Sequence, residues 1–271
     1  MTDTFNIGID EVHKLLMEGL SLIDDCAKKN GIVYFLHAGT VLGSIRHKSF
    51  IPWDDDADII VPAIFYSRFV EELQKTDLGK FEILYRNNKA TKMQAKLVLK
   101  GQDEDLFCID IFPLIGASSE IKKQIKQCKY YTRIRKLYAW RNNNWRDSSN
   151  SLKKLCKLFI RFLLHVLPNK WFYKRFDKIL YQYNYDDAEF VTNPCGKYKL
   201  KNVIPKKWYG NPSMGLINGK SFPIPSNYVD YLKKYYSDYN QLPSEEYRNS
   251  CINKKRLFRG TEEEYRKCIH Q

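Results

Sequence analysis

The sequence lacks the short signatures that would assign a common chemistry at once. There is no G-x-x-x-x-G-K-[ST] run to cradle the phosphates of ATP, no G-x-G-x-x-G turn for a dinucleotide and no G-x-S-x-G elbow for a hydrolytic serine. P-loop ATP hydrolysis and dinucleotide redox chemistry are therefore disfavoured. The seven cysteines (Cys26, Cys108, Cys128, Cys156, Cys195, Cys251, Cys268) are odd in number, scattered and never spaced C-x-x-C. That argues against a zinc site and a disulfide framework, and suits a reducing cytoplasm. Met1 to Asn6 shows neither a basic n-region nor an apolar h-region, so no secretory signal is expected in the chain as given. The apolar-rich segment Leu152 to Leu167 carries Lys153, Lys154, Lys157 and Arg161, four cations that exclude a membrane-spanning helix.

What is present is a chain of 271 residues, 44% hydrophobic and 14% aromatic, enough to bury a full core without cross-links. Its net charge of +14 is local: residues 120–180 hold 17 Lys or Arg against Glu120, Asp147 and Asp177, and the rest of the chain balances. Such a block can face nucleic acid, an anionic lipid surface or a phosphorylated donor. Leu152 to Leu167, with Trp171, Phe172 and Tyr173 after it, reads equally as a helix lying on an anionic membrane or as a core helix with a solvated stripe.

The hydrophobic pattern predicts a helix over 10–29, a buried strand over Ile32 to Leu36, and a short helix from Val41 to Arg46. A second strand runs from Asp58 to Val61 and closes at Pro62, with a helix from Ala63 to Lys75 after it. Strands then follow over Phe81 to Tyr85, Met93 to Leu99 and Leu106 to Phe112, separated by turns at Asn87-Asn88 and Gly101. This order implies an α/β fold with a mixed sheet. The character changes at about residue 119, giving a catalytic core over 1–118, a basic helical segment over 119–185 and a loop-rich C-terminal region over 186–271 that packs back on the core, with a helix near Val229 to Tyr236.

The chemistry concentrates in Asp54-Asp55-Asp56-Ala57-Asp58. Carboxylates this close raise one another's pKa unless a cation neutralises them, and a bound metal is the usual remedy. Alternation along a strand puts Asp56 and Asp58 on one face, where they can clasp Mg²⁺ or Mn²⁺ while Ala57 turns into the core; Asp54 joins them if the loop is extended. An EF-hand reading fails, because its sixth position is Ile59 and its twelfth Phe65. The bland alternative is an acidic surface turn, which Pro52, Trp53 and the following apolar strand argue against. Asp110 interrupts the apolar run Cys108 to Phe112 and reads either as a further metal-facing acid or as a locally paired structural one.

Gly39-Thr40, at a strand-to-helix turn, offers a phosphate seat. Arg46, His47 and Lys48 follow as candidate cations for a diphosphate, with His47 also a candidate base. Trp53 serves as a rigid wall for the acidic loop, and for a donor carrying a quaternary ammonium it is the nearest candidate for cation–π attraction.

The run Ala38-Gly39-Thr40-Val41-Leu42-Gly43-Ser44-Ile45-Arg46-His47, continued by Phe50-Ile51-Pro52-Trp53-Asp54-Asp55-Asp56-Ala57-Asp58-Ile59, resembles the signature of the LicD family. That family includes bacterial phosphocholine transferases and, more distantly, the fukutin group. Ile109-Asp110-Ile111-Phe112-Pro113 matches its third-acid position, and Gly219 to Pro225, Tyr231-Leu232 and Tyr239 to Pro243 extend the likeness. The resemblance implies a nucleotidyltransferase-like fold, Gly39-Thr40 as the glycine turn, and Asp56, Asp58 and Asp110 as metal-binding carboxylates. It further implies a CDP-activated donor such as CDP-choline, a glycan or glycolipid acceptor, and release of CMP. The acceptor would belong to lipopolysaccharide, teichoic acid or capsule, and nucleic acid is not an expected partner. Two rivals stand beside it: a nucleotide-sugar glycosyltransferase using the acidic loop as its metal motif, and a non-catalytic basic module that grips nucleic acid or membrane. The resemblance gives no guide to residues 120–185.

Overall fold

In a computed structural model the chain is described over residues 3–86, 92–102, 106–142, 161–196 and 199–270. Helix α1 (Ile9–Lys29) buries Val12, Leu15, Leu16, Gly19, Leu20, Ile23 and Ala27 along one stripe, with Asp10 and Glu11 in its first turn and Lys28 and Lys29 in its last. Those charges oppose the helix dipole at both ends. Strand β2 (Phe35–Leu36) is followed at once by α2 (Ala38–Arg46), and then β3 (Asp56–Pro62) by α3 (Ala63–Lys75). Strands β4 (Phe81–Leu84), β5 (Ala95–Leu99) and β6 (Cys108–Ala117) complete the central sheet.

The sheet order is β2-β3-β6-β5-β4, with β3 and β6 parallel and the other neighbours antiparallel. The far half of β6 turns to a second partner, Phe190–Thr192, which pairs in turn with Ile204–Pro205. A mixed α/β architecture results, as the order of elements implied. The expected strand at Ile32 to Leu36 narrows to two residues, because only Phe35 and Leu36 find partners, Ile60 and Ile59. The short helix begins three residues earlier than expected, so Gly39 and Thr40 lie inside its first turn. The turn expected at Asn87-Asn88 and most of Leu152 to Leu167 lie outside the described residues.

Two faces of the sheet divide the labour. Ala57, Ile109 and Leu97 stand in register on one face, and α1 lies close against it at Gly19, where a Cβ would come within 2.7 Å of Leu97 and 2.8 Å of Ile109. By strand alternation the opposite face carries Asp56 and Asp58 on β3, Asp110 on β6 and Lys96 on β5. The C-terminal region returns over this face: helix Tyr228–Tyr236 contributes the buried Tyr231 and Tyr235, and helix Glu245–Ile252 follows. The chain's first strand, Thr4–Asn6, pairs with Leu257–Arg259. No helix among the described residues is long and apolar enough to cross a membrane.

Candidate active site

A cavity of about 690 Å³ opens on the acidic face. It is lined by Gly39, Arg46, Trp53, Asp54, Asp56 and Asp58 from the N-terminal part and by Tyr236, Asp238, Tyr239 and Tyr247 from the C-terminal region. Three of the acids singled out in the sequence therefore share one wall. Asp110 is placed beside Asp58 by the register of β3 and β6.

The backbone around these acids is fixed by Thr40, expected as part of a phosphate seat, and by groups that carried no expectation. Thr40 does not line the cavity; its hydroxyl accepts the backbone N–H of Asp58 at 2.8 Å. His37 donates its backbone N–H to the Asp58 carbonyl, also at 2.8 Å. The His37 ring is fully enclosed, and burial pushes its pKa down to about 3, so it is neutral. Asn193 spends its carbonyl oxygen on the N–H groups of Cys195 and Gly196, which leaves its NH₂ to donate to His37 Nε2 at 3.1 Å. Nδ1 of His37 therefore carries the proton and donates to the Tyr231 hydroxyl at 2.8 Å. That hydroxyl also accepts from the N–H of Ala38, a non-glycine residue held at φ 45° at the head of α2. Gly39 follows, where a Cβ would lie 2.9 Å from Asp54 Oδ2 and displace that carboxylate.

The acidic loop is anchored from both ends of the chain. His13 on α1 donates Nε2–H to the Asp54 carbonyl at 2.8 Å. Asp55 turns away from the cavity to Lys254 Nζ at 2.8 Å and Arg256 Nε at 3.2 Å. Arg256 is only 1% exposed and donates three further N–H groups to the carbonyls of Cys251, Ile252 and Lys254, so it clamps the end of the Glu245–Ile252 helix to the loop.

The electrostatics follow from this crowding. Burial, then the charges of Asp56 and Asp55, push the Asp54 carboxyl up to about 7. Burial and Asp110 raise Asp56, against opposition from Lys96 and Lys254. Asp58 is driven well above the usual carboxylate range by burial and by Asp56, Asp110 and Asp54, with Lys96 opposing. Asp110 itself is held by Lys96, whose ammonium lies 2.9 Å from Oδ1 and 3.0 Å from Oδ2.

As placed, no three His, Cys, Asp or Glu side chains among the described residues close on one point as an ion requires. The donor set nevertheless fits a hard divalent cation. Asp54, Asp56 and Asp58 offer only carboxylate oxygens to one cavity, and burial first and their neighbouring carboxylates second raise their pKa values, a penalty that a bound cation would relieve.

The cations expected to meet a diphosphate divide. Arg46 lines the cavity, but its Nη1 donates to the carbonyls of Tyr239 and Gln241 and its Nε to His47 Nε2. His47 and Lys48 are not among the lining residues, and the ring nitrogen of His47 is occupied by Arg46. Trp53 lines the cavity with two guanidinium groups near its ring, Arg46 at 5.8 Å and Arg248 at 5.6 Å.

Residues 31–137 match the family described as LicD/FKTN/FKRP, nucleotidyltransferase domain. Among curated proteins, the chain is 28% identical over 229 residues to the lipopolysaccharide cholinephosphotransferase LicD of Haemophilus influenzae, covering 79% of this chain and 84% of that protein. It is also 30% identical over 105 residues to the uncharacterized protein RP689 of Rickettsia prowazekii, covering 32% of this chain and 40% of that protein. The matched segment contains α2, the acidic loop, β3, Lys96 and Asp110, the elements that build the acidic wall of the cavity. The likeness to the LicD nucleotidyltransferase family therefore covers residues 31–137, the stretch that builds the acidic wall of the cavity.

Proposed function

We propose that this chain moves phosphocholine, or a closely related phospho-alcohol, from a CDP-activated donor to a hydroxyl of a cell-surface glycan and releases CMP. The observation that carries the reading is the convergence of Asp54, Asp56 and Asp58 on one cavity within the LicD-like segment. The name of the Haemophilus relative supports choline as the first alcohol to test. In the reaction the acceptor oxygen attacks the phosphorus that bears the alcohol, the P–O bond to CMP breaks, and the hydroxyl proton leaves to a base.

Asp54, Asp56 and Asp58 would hold Mg²⁺ or Mn²⁺, which when bound neutralises charge on the diphosphate as CMP departs. The chain's own contribution is placement. Thr40 and the His37–Tyr231–Asn193 network fix β3 and the head of α2, so the carboxylates keep their spacing without rearrangement during turnover. Tyr236, Tyr239 and Tyr247, with Asp238, form the opposite wall and suit a cationic headgroup; the Trp53 ring already has two guanidinium groups near it.

Peripheral membrane attachment belongs to the same proposal. Phe162, Leu163 and Val166 are exposed within the basic segment, a pattern suited to an anionic lipid surface. Sedimentation with phosphatidylglycerol vesicles at low salt, and none with neutral vesicles, is the expected result.

The main test is a thermal-shift screen with Mg²⁺ against CDP-choline, CDP-ribitol, CDP-glycerol, UDP-glucose and GDP-mannose, followed by assay of CMP release. Metal-dependent stabilisation by one CDP compound supports the proposal. Stabilisation by a UDP- or GDP-sugar alone would replace it with a glycosyltransferase. Asp56→Ala and Asp58→Ala should lose turnover while remaining folded; full activity in the folded double variant would remove the site assignment.

A further inference from the structure

Lys96 is a charged residue inside an otherwise apolar strand, with its side chain only 8% exposed. A buried ammonium is costly unless paired and hydrogen-bonded. Its partners are both oxygens of Asp110, at 2.9 and 3.0 Å, and more distantly Cys108 Sγ at 3.6 Å. Gln94 adds an N–H to Asp110 Oδ1 at 3.3 Å. Asp58, Asp110 and Lys96 are direct neighbours across three adjacent strands, so the ammonium belongs to the acidic cluster and not to a separate structural pair. Its charge opposes the rise in pKa at both Asp56 and Asp58.

Phosphoryl-transfer sites with two divalent ions set them about 3.5–4 Å apart, and each hard ion needs oxygen ligands of its own. Asp110 is the carboxylate beside Asp58, and both its oxygens are taken. For it to serve a second ion, its ion pair with the buried Lys96 would have to break beside that ion. We infer that the ammonium of Lys96 stands in place of a second divalent ion: the site takes one ion, on the Asp54, Asp56 and Asp58 side, and a fixed lysine charge serves the Asp110 side. Lys96 is in this sense a positioning residue, holding Asp110 and supplying permanent positive charge to the cluster. The inference rests on the proposed divalent-ion site, and it concerns how many ions that site holds.

The experiment counts ions independently of turnover. Full-length protein is titrated with Mn²⁺ alone, and free Mn²⁺ is read by electron paramagnetic resonance. The wild type should bind about one ion per chain at the cluster. Lys96→Met, which releases Asp110, should bind about two, while Lys96→Arg and the Lys96→Met/Asp110→Asn double variant should stay near one. Melting curves in EDTA report folding, and Lys96→Gln replaces Lys96→Met if the methionine variant does not fold. Two ions in the wild type, or one ion in a folded variant lacking the lysine charge, overturns the inference. No bound ion in the wild type overturns it together with the metal site, and CMP release from CDP-choline, assayed in parallel, shows whether the transferase reading survives.

Discussion

Replacing Asp54 with asparagine should make the protein more stable while damaging its function. The Asp54 carboxyl moves from 3.8 to about 7 because it is buried and faces Asp56 and Asp55. That rise of roughly 3 units corresponds to about 4 kcal/mol of strain stored in the ionised form, at 1.36 kcal/mol per unit. Asparagine keeps the volume and removes the charge, but it is itself buried and keeps only part of the hydrogen bonding, which leaves a net gain of about 2 kcal/mol. For a chain of this size that is a melting temperature higher by about 4–8 °C.

The pH dependence fixes the sign. A raised folded-state pKa means the native protein holds a proton that the unfolded chain has already released, so wild-type stability falls as pH rises from 3.8 towards 7 and then levels off. The Asp54→Asn advantage should be small at pH 5, grow through pH 6 and 7, and be complete by pH 8. Scanning calorimetry in EDTA at those values measures it. Adding Mg²⁺ should then raise the wild type more than the variant. A variant no more stable than wild type at pH 8, or a difference that does not change with pH, refutes the reasoning.

Gly39→Ala should leave the melting temperature within a few degrees but cut turnover by about tenfold or more, since the new Cβ presses on Asp54 Oδ2; CMP-release kinetics check it. Arg256→Leu removes the buried guanidinium that joins Asp55 to three carbonyls, and should cost about 3 kcal/mol, readable as a lower urea midpoint. Tyr231→Phe leaves the Ala38 N–H and His37 Nδ1 without their partner, at a cost of about 1–3 kcal/mol in the same urea series.

Much of this arrangement is visible in the sequence wherever one stripe of residues does one job. Helix α3 spans Ala63–Lys75 as its periodicity predicts, and the alternation that sets Asp56 and Asp58 apart from Ala57 reappears in the cavity wall. Lys96 gave the same signal as Asp110, a charge inside an apolar strand, but its meaning depends on β5 lying beside β6, and strand pairing is not written in local pattern. His37 looked like part of a turn because its partners, Asn193 and Tyr231, are remote in sequence. The C-terminal helices escaped for a different reason. Glu245–Ile252 buries no residue and Glu262–Ile269 only Tyr265, so neither has an apolar stripe to read. The capping box of Thr261 and Glu264 was a legible start signal for the second.

The two walls of the cavity lie far apart along the chain, and that has a consequence for how the protein is made. Asp55 meets Arg256 across 201 positions, and Ala38 meets Tyr231 across 193. During synthesis the acidic loop leaves the ribosome long before its clamp exists. Helix α1 and the central strands have local partners and can collapse early, but the cavity closes only when the stretch from Tyr236 to Arg256 docks, a high-contact-order step and hence a slow one. Chains cut short before Tyr236 would carry Asp54, Asp56, Asp58 and Asp110 and still lack the opposite wall, so activity waits on synthesis of the C-terminal region.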